Sequence, residues 1–189
     1  DAETDRILAA TYTRVSAGAN TANTLEKLRA CLASKDPQVF MNGVAIAGMT
    51  LDKGVGFDEI FALLGDNDAW VVANVCEACI NATSSVKQNP TGKAGAALSK
   101  LSIANWTQIG VSFSNLPSDA DQRINVLKFL ANSLSSGPII ANFIKSTALG
   151  SLCAAIWPLN SLSSSTRSAS SSDEEKHALL VVTNNLVAS

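Results

Sequence analysis

Two of the four cysteines stand one helical turn apart, as Cys76-Glu-Ala-Cys79. C-x-x-C is the spacing of a metal site or a dithiol switch, so it is the first place to look for chemistry. A structural zinc needs four Cys or His ligands. Beyond this pair the chain offers Cys31, Cys153 and His177, none paired at short spacing. A thioredoxin-like site sets the motif at a helix start after a strand; here it falls inside "AWVVANVCEACINATS", with no strand pattern before it. In a helix starting near Asp68, Val71, Val72, Val75, Cys76 and Cys79 share one broad apolar face. All four cysteines lie among Ala, Leu, Val and Ile, the setting of small buried hydrophobes. They are expected to be buried free thiols.

Other reactive residue types give no stronger pattern. His177, the one histidine, falls in the first turn of a helix, "DEEKHALL", and is expected at the surface. There is no G-x-S-x-G turn to seat a serine nucleophile. "PTGKAGAALSK" sets Gly-Lys before a helix but lacks the G-x-x-x-x-G-K-[ST] spacing of a phosphate loop. The pairs Asp58-Glu59 and Glu174-Glu175 suit helix N-termini, where the dipole favours acids, better than acid/base catalysis. No catalytic residue, metal site or cofactor is expected.

The elements that hold these residues are helical. Of 189 residues 47% are apolar and 16% charged, with a net charge of −2, which leaves no electrostatic footprint for nucleic acid or an anionic membrane. The longest apolar runs fall well short of the roughly 20 residues that span a bilayer. The chain begins at Asp1, as a fragment or processed product would, and is expected in the cytoplasm with reduced thiols. "ETDRILAATYTRVS" sets Ile7, Leu8, Thr11, Tyr12 and Val15 on one side, at amphipathic-helix spacing. Helices follow over "NTLEKLRACLAS", over "DPQVFMNGVAIAGMT" with Pro37 in its first turn, and over "GFDEIFALLG". The helix that carries the cysteines follows, capped by Asp66, Asn67 or Asp68. "GKAGAALSKLSIANWTQIGVSFSNL" reads as one long helix, and "DADQRINVLKFLANSLSS" as one closed by Gly137-Pro138. "PIIANFIKSTALGSLCAAIWPL" reads as two helices broken near Gly150, and "DEEKHALLVVTNNLVAS" is the last helix. Residues 161–172, "SLSSSTRSASSS", are expected to form a flexible loop.

Four segments share one design, a charged start, an apolar run and a small polar end: "LEKLRACLAS", "AWVVANVCEACINATS", "INVLKFLANS" and "HALLVVTNNLVAS". With Ala33, Ala82, Ala131 and Ala188 as reference points they recur at 49, 49 and 57 residues. A helical unit recurring at that length is the mark of an armadillo or HEAT-like array. The expected fold is therefore all-α, an armadillo/HEAT-like α-solenoid built of short helices, with residues 1–189 as one domain. Asn74, Glu77 and Asn81 form a polar stripe on one helix, Arg123, Asn125, Lys128 and Asn132 on another, and Asn184 and Asn185 lie on the last. These are either the solvated sides of their helices or the lining of one concave groove. Asn amides in such a groove bond the backbone of an extended peptide, and Arg or Lys pairs with its carboxylates.

The run "GDNDAWVVANVCEACINATSSVKQNPTGKAGAALSKL" resembles a central part of the PUL domain. This is the armadillo-like C-terminal domain of phospholipase-activating-protein relatives, found also beside desumoylating-peptidase-type and thioredoxin-like modules. The matching features are a small polar turn, an apolar helix ending "ACINATS", and a Gly-Lys-Ala start to the next helix. "DADQRINVLKFLANSLSSGPIIANFIKSTAL" is similar to a later repeat, and "DEEKHALLVVTNNLVAS" to the terminal helix. The resemblance covers about residues 20 to 189, and against a whole domain a first repeat would be missing. It implies a non-catalytic adaptor of the ubiquitin pathway. Such a domain binds the acidic, aromatic-bearing C-terminal tail of the AAA+ unfoldase valosin-containing protein through basic groove residues. Arg123 falls where that family has an arginine, and Arg29, Lys27 and Lys128 are further basic candidates. The expected peptide-binding residues are thus Arg123, Lys128, Asn81, Asn132 and Arg29, in a monomer that binds neither nucleic acid nor membrane. Two rival readings stand beside this one. The first is a self-assembling helical coat or nucleocapsid-type protein, which the high Ala and Ser content would suit; the second is an enzyme whose site the sequence does not announce.

Overall fold

The structure is a computed structural model that describes residues 22–157 and 172–188. The expected helix over residues 3–16 and the Ser-rich loop lie outside the described residues, except that Ser172 caps the last helix. Among the described residues there are ten α-helices, one 3-10 turn and no strand. In chain order they are α1 (Ala22–Leu32), α2 (Pro37–Asp52) and α3 (Phe57–Ala62), which runs into the 3-10 turn Leu63–Gly65. Then come α4 (Ala69–Thr83), α5 (Lys93–Ser99), α6 (Ile103–Asn115), α7 (Gln122–Ser133), α8 (Gly137–Lys145), α9 (Ala148–Ile156) and α10 (Asp173–Val187).

Local chemistry sets the boundaries. The Asp36 and Asp68 side chains accept from the backbone N–H groups of Gln38 and Trp70, capping α2 and α4. The long helix expected over residues 92–116 is instead two. Ser102 forms a capping box with Asn105, in which each side chain satisfies the other's backbone N–H, and so α6 starts afresh after α5. Gly137-Pro138 opens α8 rather than closing α7, because proline's missing N–H costs nothing in a first turn. The break between α8 and α9 falls at Ser146-Thr147, where the Ser146 hydroxyl accepts from the Ala148 N–H; Gly150 sits within α9.

The helices pack in three rows. One row is α2, α4, α7 and α10, each packed on the next. Its members run parallel, since contacts advance together along each pair: Lys35 with Trp70 and Gly48 with Ala78, Glu77 with Asn125 and Ile80 with Asn132, then Glu175 with Arg123 and Asn185 with Ala131. A second row, behind the first, holds α1, the 3-10 turn, α6 and α9; Arg29 of α1 pairs with Asp66 at the end of the turn. A third holds α3, α5 and α8. The sequence spacing had matched α1 with α4, whereas α2 is the helix in line with α4 and α1 stands behind it. The core runs between the rows, where Trp106 stacks on Phe129 and meets Phe143 edge-on, all fully buried. Each such side chain contributes about 1.5–3 kcal/mol of burial. Gly110 lets α6 approach α9, for a Cβ there would stand 2.7 Å from the Ala148 Cα. No single described helix is long and apolar enough to cross a membrane; α8 and α9 together would be, but they bend by 68° at their break.

Candidate functional site

Among the described residues, the second row covers one side of the first and no row covers the other. On that open side each helix shows one stripe. On α4 it is half-buried Trp70, half-buried Glu77 and exposed Asn81; on α7, half-buried Asn125 and exposed Lys128. On α10 it is Glu174, His177, Val181 and Asn184. On α2, whose opposite side meets α1, the stripe is apolar: exposed Met41, Ala45 and Met49 at one-turn intervals. Neighbouring stripes touch. Glu77 of α4 faces Asn125 of α7, and the Lys128 ammonium lies 3.8 Å from Glu174 between α7 and α10. Near the start of α2 the Lys35 ammonium sits 3.9 Å over the Trp70 ring.

The five expected binding residues do not form one set. Lys128 and Asn81 are exposed on this open side. Asn132 is half-buried and committed, its amide donating to the Ile80 carbonyl at 3.0 Å. Arg29 belongs to the row behind. It grips Asp66 through two bonds of 2.5 and 2.8 Å, which raises its own pKa, the Asp66 hydrogen bond leading. Burial alone would push the Asp66 carboxyl up, but bonds from Arg29 and from backbone N–H groups outweigh it and hold the pKa below normal.

Arg123 departs furthest from expectation. Its side chain is 4% exposed and its Nε lies 2.9 Å from Oε1 of Glu175, itself 6% exposed. The guanidinium also covers the Phe113 ring at 4.5 Å and reaches the Ala155 carbonyl at 3.4 Å. It joins α7 to α10 inside the protein and is not presented to a partner. The reason lies in α10, whose N-terminal acids were read as dipole partners; Glu175 turns inward while Asp173 and Glu174 stay exposed.

The asparagines play a part that the sequence reading missed. Asn74, fully buried, donates to the Leu32 carbonyl, Asn132 to Ile80, Asn185 to Ala131 and Asn142 to Leu101. Each ties one helix to main chain contributed earlier in the sequence. The signal was the recurrence of Asn132 and Asn185 at an interval of 53 residues. Alignment on alanines 49 residues apart hid it.

The motifs first tested for chemistry are occupied by packing. Cys76 and Cys79 are fully buried, Cys31 nearly so, and Cys153 half-buried. Burial pushes the thiols of Cys31, Cys76 and Cys79 up, Cys79 adding to the effect on Cys76, so the reactive thiolate is disfavoured. Lys93 donates to the Gly54 carbonyl and Lys100 pairs with Asp58, across a shallow cleft of about 320 Å³ between the α2–α3 loop and α5. Among the described residues no three His, Cys, Asp or Glu side chains gather as a metal site would require. Burial pushes the Glu77 carboxyl up, partly offset by its bond with Asn125. Comparison of the chain with protein-family models, with curated proteins and with solved structures finds no match.

Proposed function

We propose that this chain is a non-catalytic protein–protein interaction module of armadillo-like α-solenoid type, which holds an extended peptide across the open side of its first row. The observation that carries this reading is the parallel row α2–α4–α7–α10, cross-tied by asparagines and lined on its open side by Asn81, Glu77, Asn125 and Lys128. Stacked helical units of this kind create extended binding surfaces. Side-chain amides serve a peptide backbone and an exposed ammonium serves a carboxylate. The partner is the acidic C-terminal tail of valosin-containing protein, and the module is a cytoplasmic adaptor in the ubiquitin pathway. Lys128, more than half exposed, takes the place in charge recognition that buried Arg123 cannot. Fluorescence-anisotropy titration of the labelled tail peptide tests this. Lys128→Glu should weaken binding by about tenfold, a loss of about 1.4 kcal/mol, with the fold intact. Absence of binding by the unaltered protein would remove this partner.

One observation favours self-assembly as a second reading. The last helix of the row, α10, exposes Leu180, Val181 and Val187, an apolar end that a further copy would cover. Light scattering on the purified chain separates the two, since a monomer at high concentration removes the assembly reading.

A further inference from the structure

We infer that α10 is an exchangeable helix: the groove it fills on α7 and α9 accepts the α10 of a second copy, so that two chains lock reciprocally into a closed dimer. The floor of that groove is set by other helices. Arg123 lies over the Phe113 ring of α6 at 4.5 Å and donates to the Ala155 carbonyl of α9 at 3.4 Å, which fixes its guanidinium independently of α10. The occupant is equally definite. Glu175, Leu179, Val182 and Leu186 follow at spacings of four, three and four along one side of α10, and Asn185 beside them donates to the Ala131 carbonyl of α7 at 2.9 Å. The first three are buried and Leu186 is partly so. An amphipathic helix lies in a receiving groove in this way, anchored at successive turns.

Charge commits the groove to α10. Arg123 and Glu175 are the only buried charged side chains among the described residues. A buried carboxylate without its cation is strongly destabilising. Glu175 therefore has one kind of seat, a groove with Arg123 at its floor, and a second copy offers the same one. Three features of α10 permit the exchange. It packs chiefly on α7 and only lightly on α9, whereas α2, α4 and α7 are each held between two other helices. Its far side exposes Leu180, Val181 and Val187 with no described helix over them, so it can leave without displacing another element. Sixteen residues of sequence lie between Ile156 and Asp173, and a chain of that length reaches at most about 55 Å. A molecule of this size has a radius of gyration of about 16 Å, so that reach extends to a neighbour. Exchange of one element in both directions closes on a two-fold axis and stops at two chains. It is independent of what the open side binds.

The test pairs two variants that cannot satisfy the groove alone. Arg123→Met leaves Glu175 without its cation, and Glu175→Leu leaves Arg123 without its anion. In a reciprocal dimer with one copy of each, Glu175 of the first meets Arg123 of the second, and the two introduced apolar side chains meet in the other groove. The two full chains are purified separately, one isotopically labelled, and mixed at high concentration. Native mass spectrometry should then show a heterodimer of intermediate mass. The melting temperature of the mixture should exceed that of either variant alone and rise with protein concentration. Arg123→Met/Glu175→Leu, which satisfies the groove within one chain, is the folding control. A mixture that stays monomeric and melts as its separate parts, beside a folded double variant, would overturn the exchange. Should the double variant not fold, refolding of the unaltered protein over a range of concentrations decides. A dimer whose α10 amides are as protected from hydrogen exchange as the monomer's supports the exchange, and monomer at every concentration overturns it.

Discussion

The buried ion pair of Arg123 and Glu175 should dominate the attachment of α10. Its two side chains are 4% and 6% exposed, so the charges interact with little solvent screening and neither can be left alone without a large desolvation cost. Glu175→Ala strands a guanidinium that keeps only the Phe113 face and the Ala155 carbonyl; Arg123→Ala strands a carboxylate and opens a cavity as well. Each should cost about 3–5 kcal/mol, Arg123→Ala the more, from a total stability of about 5–15 kcal/mol. The pair is also imperfect. The 2.9 Å approach of Nε is not an aligned hydrogen bond, and Glu175 Oε2 has no partner. Arg123→Met/Glu175→Leu should therefore fall within about 1 kcal/mol of the unaltered protein, or above it. Urea unfolding of the four proteins measures these differences, and native-state hydrogen exchange should show α10 amides opening first in the single variants. Single-variant losses below about 1 kcal/mol would refute the reasoning. So would a double variant as destabilised as the two singles together, since the effect would then be packing and not charge.

Asn132→Ala should cost about 1 kcal/mol, since it deprives the Ile80 carbonyl of its donor, while Asn81→Ala on the open surface should cost under about 0.5 kcal/mol; thermal unfolding distinguishes them. Glu77, whose pKa is raised in the fold, destabilises the protein as pH rises from the ordinary carboxylate range through that raised value. Glu77→Gln should accordingly stabilise at neutral pH and not below the carboxylate range, as chemical denaturation at both pH values will show. Under native conditions iodoacetamide should label half-buried Cys153 first and reach Cys76 and Cys79 only as the protein unfolds, with mass spectrometry as the readout. Rapid labelling of Cys76 would contradict its burial.

Most helices were legible because their signals are local. Asp36-Pro37 and the Asp66–Asp68 cluster mark starts that the structure keeps, and the apolar spacing around Cys76 and Cys79 foretold their burial. The break at Ser102 was missed because a Ser and Asn pair three apart is a quieter cap than one containing Glu. Register between helices was less legible still. It depends on which face meets which neighbour, so α1 was placed where α2 stands. Arg123 was misread for the same reason: an arginine opening an amphipathic helix looks exposed until a carboxylate 52 residues later is brought against it.

The claim that the first row's open side is the binding face is tested most directly by mapping amide and side-chain NMR shifts on addition of the valosin-containing-protein tail peptide. Perturbations should concentrate at Asn81, Asn125 and Lys128, and spare Ile103 and Val111, exposed on α6 in the row behind. Shifts centred on α6, or none at saturating peptide, would contradict it.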